Sequence, residues 1–305
     1  MEKFEVTILG CGSATPTLRH LPTAQLINIR EKLFLIDCAE GTQLQLRRAR
    51  IKFSSIRHIL ISHLHGDHCL GLPGLVSTLA LSGHTSDLHI YAPLGAESLF
   101  KPIFDFFCPI KEFKILFHEI DTTQQQIIYS DRSVEITAFP LAHRMPTCGF
   151  LFKETPLLPH IKRDMIDFLK IPHYAINSIK QGVGWESPDG KFYTTEQLTT
   201  PARKQRTYAY CSDTMPVYSN SELLNGVSLL FHEATFAEQD SLRAKKTCHS
   251  TAYQAAQFAL KAQVEKLMIG HFSARYDSDE LLLKEAQNIF PNTIAAHELL
   301  TIQVG

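Results

Sequence analysis

A chain of 305 residues, 44% hydrophobic and 20% charged, has the composition of a globular protein long enough to bury a large core. Its net charge of −1 excludes nucleic-acid binding through bulk positive charge, so any basic footprint must be local. Seven scattered cysteines without a Cys-x-x-Cys pair exclude a disulfide framework, and no apolar run is long enough to span a bilayer.

The chain enters a strand-like run at once, over Phe4–Leu9, which leaves no room for a signal peptide; a cytoplasmic location is the expectation. A turn rich in glycine and proline follows, Gly10-Cys11-Gly12-Ser13-Ala14-Thr15-Pro16, then two predicted strands, Ala24–Ile29 and Lys32–Ile36. The second ends at Asp37, ahead of a helical pattern through Leu44, Leu46 and Arg50. A carboxylate there can be a simple helix N-cap.

Ile59-Leu60-Ile61 reads as a short buried strand, and it breaks into Ser62-His63-Leu64-His65-Gly66-Asp67-His68. Side chains alternate along a strand, so His63 and His65 are expected to point the same way, and the Gly66 turn lets Asp67 and His68 fold back beside them. Imidazole nitrogens and a carboxylate oxygen suit zinc, and such a site is catalytic when one position is left to water. Beyond it the pattern predicts a helix over Leu70–Leu81, a strand over Leu88–Ala92 and a helix over Leu94–Phe107. Strands over Phe113–Ile120, Gln126–Tyr129 and Val134–Phe139 come next. Strands alternating with helices predict a layered α/β fold with a single core over 1–305.

His143 follows the last of these strands, and a zinc held by His63 and His65 needs a third protein ligand. Residues 154–200 leave this rhythm, with scattered prolines and glycines and one helix-like piece, Arg163–Lys170. A stretch this long without clear periodicity reads as an inserted excursion. Strands over Thr207–Cys211, Val227–Phe231 and Lys266–Ile269 then end close to Asp213, His232-Glu233-Ala234-Thr235 and His271. Helices are expected after Cys248-His249-Ser250-Thr251 and over Asp277–Phe290, the latter well capped, and a last strand over Thr293–Ala296.

Every candidate ligand thus sits just after an apolar strand, and strand ends converge on one edge of a sheet. The assignment gives His63, His65 and His143 to one ion and Asp67, His68 and His271 to a second, with Asp213 bridging. A centre of this kind suits phosphodiester cleavage, with Asp67 able to accept a proton from water. On spacing alone, Glu233 reads as a surface carboxylate and His249 as a residue beside a helix cap.

The His63–His68 spacing resembles the signature of the metallo-β-lactamase fold, and the residues around it resemble the ribonuclease Z family of transfer RNA 3′-processing endonucleases over nearly the whole chain. The resemblance implies an αββα sandwich and two Zn2+ per chain, with Mn2+ or another divalent ion possible in one site. It supports His143 as third ligand, through the glycine-aromatic pair Gly149-Phe150, and implies that Asp37 steadies the ligand loop. It gives Glu233 and His249 the role of proton donor to the leaving 3′-oxygen, through the His-Glu-Ala-Thr and His-Ser-Thr motifs. Pro201–Arg206 resembles the basic motif facing the cleaved RNA, which makes Arg203, Lys204 and Arg206 candidates for substrate binding.

By the same resemblance, the insertion at 154–200 is an arm that grips transfer RNA, although Leu157-Leu158-Pro159-His160 lacks the glycine-proline pair many members carry. The implied reaction cleaves precursor transfer RNA on its 3′ side, leaving a 3′-hydroxyl on the transfer RNA and a 5′-phosphate on the trailer. A homodimer is expected, with the helices near Leu70–Leu81 and Thr42–Ile51 as candidate contacts and no membrane involvement. The alternative function on the same scaffold is a small-molecule phosphodiesterase or lactonase.

Overall fold

Alternation along the N-terminal strands sorts their side chains between two environments. Phe34, Ile36 and Leu60 point into one apolar cluster, and Leu35, Ile59 and Ile90 into another, as a period of two requires. The register keeps each set in a row, with Leu35 opposite Ile59 and Ile59 opposite Ile90. A computed structural model describes residues 2–305 and resolves them into two compact units. One comprises the residues up to Lys153 and from Arg206 on, the other residues 154–205.

The larger unit contains two seven-stranded sheets. The first runs, in spatial order, Thr301–Gln303, Phe4–Gly10, Ala24–Ile29, Lys32–Ile36, Ile56–Leu60, Leu88–Pro93, Ile115–Ile120. The second runs Thr293–Ala295, Leu267–Gly270, Leu229–Glu233, Thr207–Cys211, Cys148–Glu154, Val134–Pro140, Gln126–Ser130. One core joins the inner faces of both sheets and continues under the helices Ala252–Lys261 and Glu280–Ile289. The other packs the helices Thr42–Arg48, Leu72–Leu81 and Ala96–Phe107 on the far face of the first sheet. The order of layers is helix, sheet, sheet, helix, as expected.

Several elements differ from the sequence reading. The strand before the ligand loop is Ile56–Leu60, so Ile61 already lies outside it. Cys148–Glu154 is a strand buried along almost its whole length, with Phe150, Leu151 and Phe152 in succession, so it shows no alternation to read. Ser241–Thr247 forms a helix and Thr301–Gln303 an edge strand, neither of them expected. The last helix begins at Glu280, and its cap Asp279 makes no side-chain cap bond, contrary to the expectation of a well-capped start.

The smaller unit holds more helix than its composition suggested. Besides Arg163–Leu169 it forms His173–Lys180 and Thr195–Leu198, with two short antiparallel ladders, His160–Ile161 on Thr199–Thr200 and Trp185–Glu186 on Phe192–Tyr193. Its own core is small: Ile171, Ala175, Ile179 and Leu198. Ala175 and Ile179, four apart on one helix face, were too few to reveal that helix as a pattern. All seven cysteines are free thiols, and no helix among the described residues is long and apolar enough to cross a membrane.

Candidate metal centre

The ligand loop begins where Ile56–Leu60 ends, runs irregularly through His65, and closes in a single helical turn, Gly66–Cys69. Strand alternation therefore does not align His63 and His65, as the sequence suggested; the loop does. His65 Nδ1 lies 3.0 Å from His63 Nε2 and 3.3 Å from His143 Nε2, which brings the three imidazoles together. The helical turn carries Asp67 and His68 to a second group with His271.

Asp213 lies between the groups and turns one oxygen to each. Oδ2 is 3.6 Å from His63 Nε2 and 3.7 Å from His143 Nε2, whereas Oδ1 is 3.0 Å from the Nε2 atoms of both His68 and His271. Asp67 Oδ2 completes the second group, 3.7 Å from His68 Nε2 and 3.9 Å from His271 Nε2.

These contacts are not ordinary hydrogen bonds. The Nε2 atoms of His68 and His271 are buried and have no hydrogen-bond partner among the described residues, although Asp213 Oδ1 is close to both. Two buried lone pairs left unmatched would cost roughly 1–3 kcal/mol each. Nitrogens and oxygens facing a common point at these spacings are the donor set of a hard or borderline cation. The His/Asp clusters fit a metal site.

The charges are consistent with that fit. Burial would raise the Asp213 carboxyl, but His271, His68 and His63 together hold it well below the usual carboxylate range. Burial pushes His63 well below its ordinary value, and the neighbouring His68 charge adds to this. Burial acts in the same sense on His68 and His271, yet the carboxylates facing them outweigh it together, Asp213 with Asp37 keeping His68 well above its ordinary value and Asp213 with Asp67 and Glu233 holding His271 up at about 10.

Asp37 is not a helix cap: the helix Thr42–Arg48 is capped at Gly41 without any side-chain bond. Its carboxylate is fully buried and accepts from His68 Nδ1 at 2.7 Å, Tyr210 Oη at 2.6 Å, Ser62 Oγ at 2.9 Å and the Ser62 backbone N–H at 2.8 Å. It fixes the His68 ring with Nε2 facing Asp213. Other supports had no counterpart in the sequence reading. The Cys248 carbonyl accepts from His143 Nδ1 at 3.0 Å, Thr235 Oγ1 lies 2.9 Å from His271 Nδ1, and the Ala14 N–H donates to Asp67 Oδ2 at 2.8 Å. Tyr210 and Ser62 look like ordinary strand and loop residues, so nothing in the sequence marked them. Thr235 lies within the His-Glu-Ala-Thr motif, where its residue type alone gives it no role. Asp37, Asp213 and His271 also share a left-handed backbone, with φ of 56°, 55° and 61°. Such conformations are costly for non-glycine residues and cluster at functional sites.

Beside the second group, His249 Nδ1 lies 2.9 Å from Glu233 Oε1. Glu233 is wholly buried and also accepts from the backbone N–H groups of Thr214 at 2.6 Å and Ser250 at 3.1 Å. It is therefore not a surface carboxylate. Burial would raise it, but the His249 charge and hydrogen bond hold it below its ordinary value. A ring nitrogen of His249 lies within 4.8 Å of ligand atoms of Asp213 and His271, so the pair borders the metal cluster.

The basic stretch behaves differently from its expectation. Arg206 is buried, donates to the Glu2 carbonyl at 3.1 Å and lies over the Phe4 ring, so its guanidinium packs within the fold rather than standing in solvent. Arg203 pairs with the buried Glu154 at 2.8 Å, and only Lys204 is exposed.

Residues 4–158 match the family model described as Anti-Pycsar protein Apyc1. A protein named Ribonuclease Z from Bacteroides thetaiotaomicron is 55% identical, the match covering 100% of this chain and 96% of that one. Among solved structures, human tRNase Z, short form (ELAC1), matches with a TM-score of 0.73 at 24% identity, covering 99% of each chain. The metallo-β-lactamase fold protein YhfI from Bacillus subtilis matches with a TM-score of 0.69 at 17% identity, covering 99% of this chain and 100% of that one. The two structural likenesses establish the metallo-β-lactamase fold. Over residues 4–158 the chain belongs to the family of the Apyc1 model, and over its full length it belongs to the ribonuclease Z family.

Proposed function

We propose that the chain is a metal-dependent endoribonuclease that cleaves precursor transfer RNA on its 3′ side, leaving a 3′-hydroxyl on the transfer RNA and a 5′-phosphate on the trailer. The observation that carries this reading is the His249–Glu233 pair at the border of the Asp213 cluster. Two ion groups alone would serve many hydrolases; a buried carboxylate–imidazole pair beside them suits a leaving group that must be protonated. Full-length membership of the ribonuclease Z family supports it.

His63, His65 and His143 would hold one zinc, His68, His271 and Asp67 the other, and Asp213 would join both; manganese or another divalent ion could take one place. Bound there, the ions would acidify a water and neutralise charge on the phosphate. Asp67 meets the Ala14 N–H, His68 and His271 through Oδ2, and its other oxygen accepts the proton from the attacking water. His249 is held at Nδ1 by Glu233, so Nε2–H is the proton delivered to the 3′-oxygen as the P–O bond breaks. Glu233 orients the ring through this contact.

The unit at 154–205 supplies remote binding of the RNA body, Lys204 contributes to substrate binding, and the enzyme works in the cytoplasm. It acts as a homodimer, a reading supported by the exposed Leu44, Leu70 and Leu81 on and beside the helices Thr42–Arg48 and Leu72–Leu81. The test is incubation with a precursor transfer RNA and with bis-p-nitrophenyl phosphate, with and without chelator, and mapping of the RNA ends. Chelator-sensitive cleavage to the stated ends is expected. Hydrolysis of the small diester with no RNA cleavage would favour a small-molecule phosphodiesterase instead.

A further inference from the structure

A second group of ligand-type side chains lies away from the centre described above, where the first and last parts of the chain meet. Cys11 follows the strand Phe4–Gly10, His20 precedes the strand Ala24–Ile29, and Glu298 lies between the last two strands. Cys11 is fully buried and His20 nearly so. His20 Nδ1 is 3.3 Å from Cys11 Sγ and 3.1 and 3.4 Å from the two Glu298 oxygens, and Cys11 Sγ is 3.7 Å from Glu298 Oε1. One ring nitrogen brings at most one proton to these three neighbours.

The spacings are close to the edges of a tetrahedron around zinc. Bond lengths of ~2.0 Å to nitrogen and oxygen and ~2.3 Å to sulfur place nitrogen and oxygen ~3.3 Å apart, and sulfur ~3.5 Å from either. The support around the ring is also of the kind metal ligands have. His20 Nε2 lies 2.9 Å from Asp279 Oδ2, the carboxylate contact that fixes a ligating imidazole with its other nitrogen toward the ion. Asp279 is balanced by Arg19 at 3.1 Å, so a thiolate, Glu298 and a divalent ion would leave the group neutral. A cavity of about 330 Å³, lined by Gly12, Arg19, Phe272 and Tyr276 among others, adjoins His20.

We propose that Cys11, His20 and Glu298 bind a zinc-class divalent ion at a structural site separate from the His/Asp centre. Loading releases the Cys11 thiol proton and any proton on His20 Nδ1, and leaves the fourth position to the Ala296 carbonyl, which lies 3.6 Å from Sγ and closes the site. The ion fastens the segment that carries Ala14, whose N–H holds Asp67, and it joins that segment to the C-terminal strand region. The site therefore braces the catalytic loops without touching substrate.

Cobalt(II) loading of the full chain tests this without reference to activity. No other candidate metal group among the described residues contains a cysteine, so a thiolate-to-cobalt charge-transfer band reports this site alone. The expected result is such a band in the wild-type protein and in His68→Ala. Cys11→Ser and His20→Ala should lose the band and one equivalent of metal. Absence of the band from cobalt-saturated wild-type protein would overturn the proposal, as would a band that survives Cys11→Ser. Should Cys11→Ser fail to fold, the wild-type spectrum and His20→Ala decide.

Discussion

The ligand loops and the inserted unit stand at opposite ends of a scale. Around Asp213, chemistry dictates both residue identity and position: His63, His68 and His271 are fully buried, and their ring contacts leave little room for substitution. The unit at 154–205 rests on four buried apolar side chains and exposes Phe168, Tyr174 and Phe192. The first region is built to hold charge in a fixed geometry, the second to present surface. Damage to the first should therefore affect every substrate, and damage to the second only a large one.

The largest effect is expected from the ligands. His68→Ala should abolish cleavage of RNA and of bis-p-nitrophenyl phosphate alike and lower the bound metal, read by elemental analysis. Activity on either substrate with that ligand gone would break the comparison from the side of the centre.

Replacing residues 155–202 with a short linker should come next. Transfer RNA cleavage should fall by orders of magnitude while hydrolysis of the small diester stays near wild type, because remote binding energy is lost. Equal losses on both substrates would mean that the inserted unit supports the fold rather than the RNA.

Asp37→Asn should be milder, weakening metal affinity by roughly 10–100-fold, as loss of a carboxylate behind a ligating histidine does. Metal titration followed by a competing chelator measures it. An unchanged affinity would show that Tyr210 and Ser62 suffice to hold the loop.

The smallest effect concerns pH. In the metal-free protein His271 is raised from its ordinary 6.5 to about 10, because Asp213 with Asp67 and Glu233 outweighs burial. Its contribution to stability is then full below pH 6.5 and is lost as pH rises through about 10. The chelated protein should lose melting temperature over that interval, whereas the metal-loaded protein should not. Apparent metal affinity should rise with pH over the same range, since the proton on His271 must leave first.

The two regions also differ in how much of each could be read in advance. The layered α/β plan and the ligand candidates were legible because period-two strands and strand-end histidines leave direct marks in the sequence, whereas the αββα order came from the resemblance of the ligand-loop motif. Cys148–Glu154 was not, because a strand buried on both faces shows no alternation. Tyr210, Ser62 and the Cys248 carbonyl were invisible because their roles come from tertiary contacts, one of them through backbone atoms alone. Arg206 misled for the converse reason. A basic run suggests a solvated surface, yet its guanidinium packs on Phe4 and the Glu2 carbonyl. In the inserted unit, the helix His173–Lys180 had only Ala175 and Ile179 as a regular buried signal, and two positions do not make a pattern.

The division of labour within the centre, with metal ligands on one side and His249 on the other, is tested most directly by His249→Ala on two substrates with the metals counted. RNA cleavage should fall by roughly 10²–10⁴-fold, because the 3′-oxygen leaves without its proton. Hydrolysis of bis-p-nitrophenyl phosphate should change far less, since p-nitrophenolate departs unprotonated, and metal content should be unaltered. Equal slowing of both substrates with the metals still bound would contradict the account and leave His249 a support for the helix that begins at Ala252.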